Sequence, residues 1–171
     1  MAKEKFSLAH VEAELGSDSQ ELAKVIIQRI GLEPRKRGST DNMHQALLEF
    51  YERAKVANQQ KDPKKAVMTV EEMAMYAGIT RQTMYEYLGR WLKLNIITKV
   101  SFINGDGSVT IGYRLHGTTL EDAFRKAKTQ VVRHLDLTER YIGELQKTIK
   151  NEKISKRMQK HPETKEPVHH G

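Results

Sequence analysis

The sequence predicts a mainly α fold carrying one β-hairpin, and three observations predict it. Apolar residues recur at spacings of three and four between Met43 and Leu94. One turn-rich cluster, Asn104-Gly105-Asp106-Gly107-Ser108, separates two β-branched runs. After Gly117 comes a stretch with no proline before Pro162, long enough for a helix of about forty residues.

The N-terminal elements come first. Phe6, Leu8, Val11 and Leu15 read as a short helix stopped by Gly16. Leu22, Val25, Ile26 and Ile30 line one side of a helix over residues 19–30, with Ser17 and Gln20 at capping-box spacing and Gly31 at its end. The Pro34 to Ser39 stretch breaks the periodicity around three consecutive basic residues, so residues 34–38 form a linker after an N-terminal helical extension, 1–33.

A second block follows. Met43, Leu47, Phe50, Tyr51 and Ala54 predict a helix over 41–59, and Ala66-Val67-Met68 a very short strand. Thr69-Val70-Glu71-Glu72 is a capping box, opening a helix that buries Val70, Met73, Ala74 and Ala77 and ends at Gly78. Ile79-Thr80 starts the next helix, with Met84, Leu88 and Trp91 inward and Tyr87 beside them. Two helices joined by a short glycine-containing turn make a helix-turn-helix. The hairpin comes directly after, with Val109, Ile111, Tyr113 and Leu115 packing inward against Val100 and Phe102, and Thr110 and Arg114 outside. Helix, short strand, helix, helix and hairpin together describe a winged helix over residues 39–117.

Thr118-Thr119-Leu120-Glu121 is another capping box, opening a helix over 118–158. Forty helical residues span about 60 Å, more than a domain of this size covers. Along it Val131, Leu135, Thr138, Ile142, Leu145 and Ile149 step by 4, 3, 4, 3 and 4, the spacing of a two-stranded seam, so a coiled-coil homodimer is expected. Residues 159–171, with two prolines and no apolar face, read as a disordered tail.

Composition bounds the chemistry. The 171 residues carry 29 Lys+Arg against 22 Asp+Glu and no cysteine, which excludes disulfides, thiolate zinc sites and cysteine nucleophiles. Residues 1–60 hold 9 basic and 9 acidic groups, 61–117 hold 8 and 5, and 118–171 hold 12 and 8, so the excess of +7 follows residue 60. That bias fits a protein that meets a polyanion, and equally a helix kept soluble. No apolar run approaches the roughly 18 residues of a membrane span, and the first residues lack a signal-peptide core. A cytoplasmic location is expected.

Residues 69–115 resemble the DNA-binding domain of archaeal winged-helix transcription regulators, especially the sugar-responsive family. The resemblance rests on Gly78-Ile79-Thr80-Arg81-Gln82-Thr83-Met84-Tyr85-Glu86-Tyr87-Leu88, then Trp91, Asn95-Ile96-Ile97 and Gly112-Tyr113-Arg114-Leu115. It covers a little over a quarter of the chain. Asn95 stands where that family has glycine, and no sugar-binding domain follows, so the chain is more similar to the stand-alone winged-helix activators of archaellum operons. The resemblance implies sequence-specific binding of double-stranded DNA in transcription regulation.

With Met84, Leu88 and Trp91 inward, helical geometry turns Gln82, Glu86, Gly89 and Lys93 outward, flanked by Tyr85 and Arg90, with Arg81 and Thr83 at the helix start. Gln pairs with adenine N6 and N7, Arg with guanine O6 and N7, and Tyr, Thr and Lys with phosphate oxygens. Glu86 repels phosphate unless it meets a cytosine N4 or pairs with Arg90 at i+4. Gly89 fits either a close DNA backbone or crowding against the preceding helix. Lys99 and Arg114 are the wing's candidates for phosphate or the minor groove, and Arg35, Lys36 and Arg37 form a possible basic arm.

An enzyme is the rival class. The seven histidines show no HExxH or other metal-ligand spacing, and no P-loop, dinucleotide turn or nucleophile elbow occurs. No catalysis, cofactor or metal is expected. The alternative binding reading is a winged helix that contacts RNA or a protein of the transcription or translation machinery.

Overall fold

The computed structural model describes residues 8–33 and 42–160. The linker with Arg35, Lys36 and Arg37, the segment before Leu8, and the tail from His161 lie outside the described residues. The elements, in order, are α1 (Ser19–Arg29), α2 (Met43–Gln60), a 3-10 turn (Pro63–Ala66), α3 (Val70–Ala77), α4 (Arg81–Lys93), β1 (Ile97–Ile103), β2 (Val109–Leu115) and α5 (Leu120–Lys160). Two compact units result, Met1–Thr129 and Gln130–Gly171.

In the first unit the start of the chain departs from expectation. Residues 8–14 form no helix, and Leu8 and Leu15 are exposed. The Ala9 N–H instead donates to the Arg29 carbonyl at 3.0 Å, drawing this segment along the end of α1. α1 is capped by Asp18 and Glu21, one residue later than the Ser17 and Gln20 spacing suggested. Its buried face is Ala23, Ile27 and Ile30, while Leu22 and Ile26 are exposed. Small Ala23 is the reason: it lets α1 lie close on α2, and Gly31 at φ 73° then turns the fully buried Leu32 into the same core.

α2 buries Met43, Ala46, Leu47, Phe50, Ala54 and Ala57, while Tyr51 points out. Its first turn is tied to the end of α3, where the Asn42 N–H donates to the Ala77 carbonyl at 2.7 Å. The expected strand at 66–68 shrinks to one residue. Residues Pro63–Ala66 form a 3-10 turn, and only Met68 pairs with Tyr113, through hydrogen bonds of 2.8 and 2.7 Å. The Thr69 and Glu72 capping box of α3 is present as expected, and Gly78 ends that helix at φ 69°.

Met84, Leu88 and Trp91 of α4 are buried with Tyr87, and the Trp91 ring meets Phe50 at 5.8 Å between centroids and a tilt of 50°. Four methionines, Met43, Met68, Met73 and Met84, fill the rest of this centre. Asn95 adopts φ 60°, a left-handed conformation that Asn tolerates better than most side chains, so the position needs no glycine.

β1 and β2 pair antiparallel from Ile97↔Leu115 to Ile103↔Val109. Only the base of this hairpin joins the core, through Ile97, Tyr113 and Leu115. Val109 and Ile111 were expected inside, but they are 62% and 49% exposed, and Ile103 is 70% exposed. Among the described residues nothing buries the outer half of the ribbon, so alternation there has no core to face. Gly112 is held to glycine by close approach: a Cβ there would strike Val67 Cγ1 and come within 3.0 Å of the Met68 carbonyl oxygen.

α5 begins in this unit, where the Thr119 hydroxyl accepts from the Asp122 N–H and the Asp122 carboxylate accepts from the Thr118 N–H, in place of the expected Thr118 and Glu121 box, and Ala123 and Ala127 are buried. In the second unit α5 continues to Lys160, and Leu135, Ile142, Leu145 and Ile149 are exposed.

Candidate nucleic-acid interface

α4 is set by its cap. The Thr80 hydroxyl accepts from the Thr83 N–H at 3.1 Å and lies 2.9 Å from the Thr83 Oγ1, fixing the angle at which the first turn leaves Gly78 and Ile79. Thr83 is therefore half-buried and occupied with the cap. Beside it Arg81, Gln82, Tyr85 and Glu86 are exposed together on the N-terminal half of the helix.

Arg81 is not a free cation there. Its Nε lies 3.2 Å from Glu71 Oε1 on α3, and its Nη2 donates to the Tyr85 hydroxyl at 3.3 Å, with the guanidinium 5.6 Å from the Tyr85 ring centroid. The Tyr85 hydrogen bond and the Glu71 carboxylate hold the Arg81 pKa above its ordinary value. Sequence reasoning missed Glu71 as a partner, because the pair joins two helices across the turn.

The C-terminal half of α4 is different. Arg90 donates from Nη1 to the Gly31 carbonyl at 3.4 Å and stacks 5.3 Å from the Tyr87 ring centroid. It thus meets the end of the N-terminal extension rather than Glu86 at i−4. Gly89 is half-buried beside it, which corrects its placement on an open outward face, and Lys93 is exposed.

The hairpin separates the two cations assigned to it. Lys99 is paired with Tyr113 and Arg114 with Thr98; neighbouring pairs point to opposite sides of a ribbon, so the two charges lie on opposite faces. Lys99 shares its face with Tyr113, whose phenol is pushed up by burial and by nearby Tyr85 on α4. Arg114 shares the other face with Phe102, over which Lys64 sits at 5.3 Å from the ring centroid. Lys64 was missed because it belongs to a turn that carries no helical or strand periodicity.

The loop is held by its own hydrogen bonds and carries no cation. Asn104 N–H donates to the Ser108 carbonyl at 2.8 Å, and Asn104 Nδ2 donates to Thr110 Oγ1 at 2.7 Å. Asp106 accepts from the Ser108 hydroxyl at 2.6 Å and from its N–H at 2.9 Å, and these bonds hold its carboxyl below the usual range.

This arrangement of an exposed helix start beside a β-hairpin coincides with a recognisable stretch of sequence. Residues 32–112 match the family model for DNA-packaging protein gp3. The match runs from Leu32 through α2, α3 and α4 to Gly112 of β2, and leaves out α1 and α5. No curated protein and no solved structure gives a match. The similarity is thus to a packaging protein, and none of the comparisons points to the archaeal regulators expected above. Among the described residues, no group of His, Asp or Glu is placed to hold a metal ion, and no helix is long and apolar enough to cross a membrane.

Proposed function

We propose that this chain is a DNA-binding component of a DNA-packaging system, acting as a binding protein rather than an enzyme. In this reading residues 39–117 form a winged-helix module. The start of α4 enters the major groove, and the hairpin lies along the neighbouring backbone. One observation carries it: the gp3 match ends on the same α2 to β2 segment that sets Arg81, Gln82, Tyr85 and Glu86 on one exposed helix end.

The chemistry is consistent with reading a duplex. Gln82 offers one donor and one acceptor at the helix start, the pair that matches adenine in the major groove. Arg81 can exchange Glu71 for a guanine or a phosphate, since an exposed ion pair holds it only weakly. Tyr85 can donate to a phosphate oxygen. We also propose a second role for the same contact, control of transcription at a site that Gln82 reads.

Selection from random duplex DNA tests this, followed by titration of the enriched duplex, a scrambled duplex and RNA of the same length. An enriched motif bound more tightly than the other two is the expected result. Tighter binding to RNA, or no binding to any nucleic acid, would move the module to the RNA or protein-partner reading.

A further inference from the structure

We propose that α5 pairs with the α5 of a second copy as a parallel, in-register, two-stranded coiled coil over Val131 to Ile149. This goes beyond the DNA reading and does not depend on it.

Among the described residues most of the seam is exposed. Val131, Leu135, Thr138, Ile142, Leu145 and Ile149 fall on one stripe of a continuous helix, and Leu135, Ile142, Leu145 and Ile149 are 63, 56, 58 and 41% exposed. The stripe runs about 27 Å at 1.5 Å per residue. Its polar member is already satisfied, because the Thr138 hydroxyl donates to the His134 carbonyl at 2.9 Å and leaves its methyl for the seam. The stripe ends where Glu152 and Lys156 take the next two positions.

Residue shape and charge then choose the arrangement. In heptad terms Leu135, Ile142 and Ile149 occupy a, and Val131, Thr138 and Leu145 occupy d. At the centre of the seam Ile142 at a over Leu145 at d is the combination that favours two parallel strands, whereas Leu135 at a between Val131 and Thr138 at d adds no such preference. In a parallel pair each g residue faces the e residue five places on in the other helix. His134 then meets Glu139 of the second copy, Tyr141 meets Gln146 and Thr148 meets Lys153, with no like charges opposed. The antiparallel alignment that keeps the seam apolar sets Ile142 against Thr138, Leu135 against Leu145 and Ile149 against Val131. It also sets Glu139 against Glu139, two carboxylates in direct repulsion.

The absence of natural cysteine makes a direct test available. Glu152→Cys places a thiol at the next d position. In the parallel pair the two Cα atoms at this position come to about the 4.4–6.8 Å separation a disulfide needs, whereas in the antiparallel alignment they lie roughly 36 Å apart. The full chain is examined by sedimentation, and the Glu152→Cys variant is oxidised and run without reductant. Expected are a mass of two chains, a disulfide-linked dimer, and a single-chain mass for Ile142→Glu/Leu145→Glu whose circular dichroism keeps a folded first unit. A wild-type mass of one chain, a mass above two, a dimer without the crosslink, or a dimer that survives the double glutamate substitution would each overturn the proposal.

Discussion

Arg53 Nη1 lies 3.0 Å from Glu72 Oε2, joining the middle of α2 to the first turn of α3. The same carboxylate oxygen accepts from the Thr69 N–H at 2.9 Å, so the capping box and the ion pair share one atom. Arg53 also donates from Nε to Glu49 at 2.8 Å and from Nη1 to the Val67 carbonyl at 2.8 Å. Burial disfavours its charge, but hydrogen bonds to Glu49, Tyr76 and Glu72 and the Glu72 charge outweigh that, and its pKa is raised. Arg53 thereby sets where α3 starts, and through the Gly78 turn, how α4 is presented.

Arg53→Met should keep the packing of the stem while leaving two carboxylates and the Val67 carbonyl without their donor. A loss of roughly 2–3 kcal/mol is expected in urea unfolding, the scale of hydrogen bonds to charged groups. Glu72→Gln should cost less than half as much, because the amide oxygen can still accept from Thr69. Equal losses would show that the charge, not the donor network, carries the effect.

His44 gives the fold a dependence on pH. It is buried in the first turn of α2, and burial, then repulsion from Lys24, lowers its pKa from 6.5. Below about 6.5 the unfolded chain takes up a proton that the folded chain refuses. Stability from this site is therefore complete above about pH 6.5 and is lost as pH falls through the window down to the lowered folded value. Urea midpoints of the wild type and His44→Gln, compared at pH 5.5 and 7.5, should show a smaller acid loss in the variant. Lys24→Gln should lessen the loss in the wild-type background.

Two glycines predict opposite signs. Gly112→Ala forces a Cβ onto Val67 Cγ1 beside the Met68 carbonyl, and should destabilise by about 1–3 kcal/mol, as overpacking does. Val67→Ala in the same chain should recover part of it. Gly143 sits within α5 with nothing within 4 Å of an added Cβ, so Gly143→Ala should strengthen that helix by about 1 kcal/mol. Hydrogen exchange of the amides around residue 143 measures this locally. Faster exchange in the variant would contradict it.

The sequence exposed most of the fold wherever a signal had one possible register. Thr69 and Glu72 form a capping box with no competing pair one residue away, and its position was legible. At α1, Ser17 with Gln20 and Asp18 with Glu21 have the same spacing, as do Thr118 with Glu121 and Thr119 with Asp122. At α1 the structure uses the later pair, and at α5 the later threonine, Thr119, accepts from the Asp122 N–H while the Asp122 carboxylate turns to the Thr118 N–H. The face of α1 was misread because Leu22 and Ile26 outweigh Ala23 in any count of apolar bulk, whereas close packing on α2 rewards the smaller residue. At the interface, α4 was legible from Met84, Leu88 and Trp91, since their burial fixes what points out. The partners of its charges were not, because Glu71 and Gly31 reach Arg81 and Arg90 from other elements.

The geometry divides the proposed DNA contact unevenly. Gln82→Ala should cost about 1–3 kcal/mol on the preferred duplex and little on scrambled DNA, the signature of a lost base contact. Glu71→Gln should act differently: it removes a negative charge beside α4 and releases Arg81, tightening binding to every duplex by a few-fold with the preference unchanged. The hairpin supplies the sharpest contrast, because its two cations face opposite ways. Lys99 shares the face of Tyr113, whose phenol feels Tyr85 of α4, whereas Arg114 is on the Phe102 face with Lys64. A duplex seated on α4 should therefore lose about one unit of salt slope with Lys99→Ala and almost none with Arg114→Ala. Fluorescence anisotropy across a salt series measures both. The reverse result, with Arg114→Ala and Lys64→Ala lowering the slope and Gln82→Ala without effect on preference, would put the duplex on the far face of the hairpin and remove α4 from the groove.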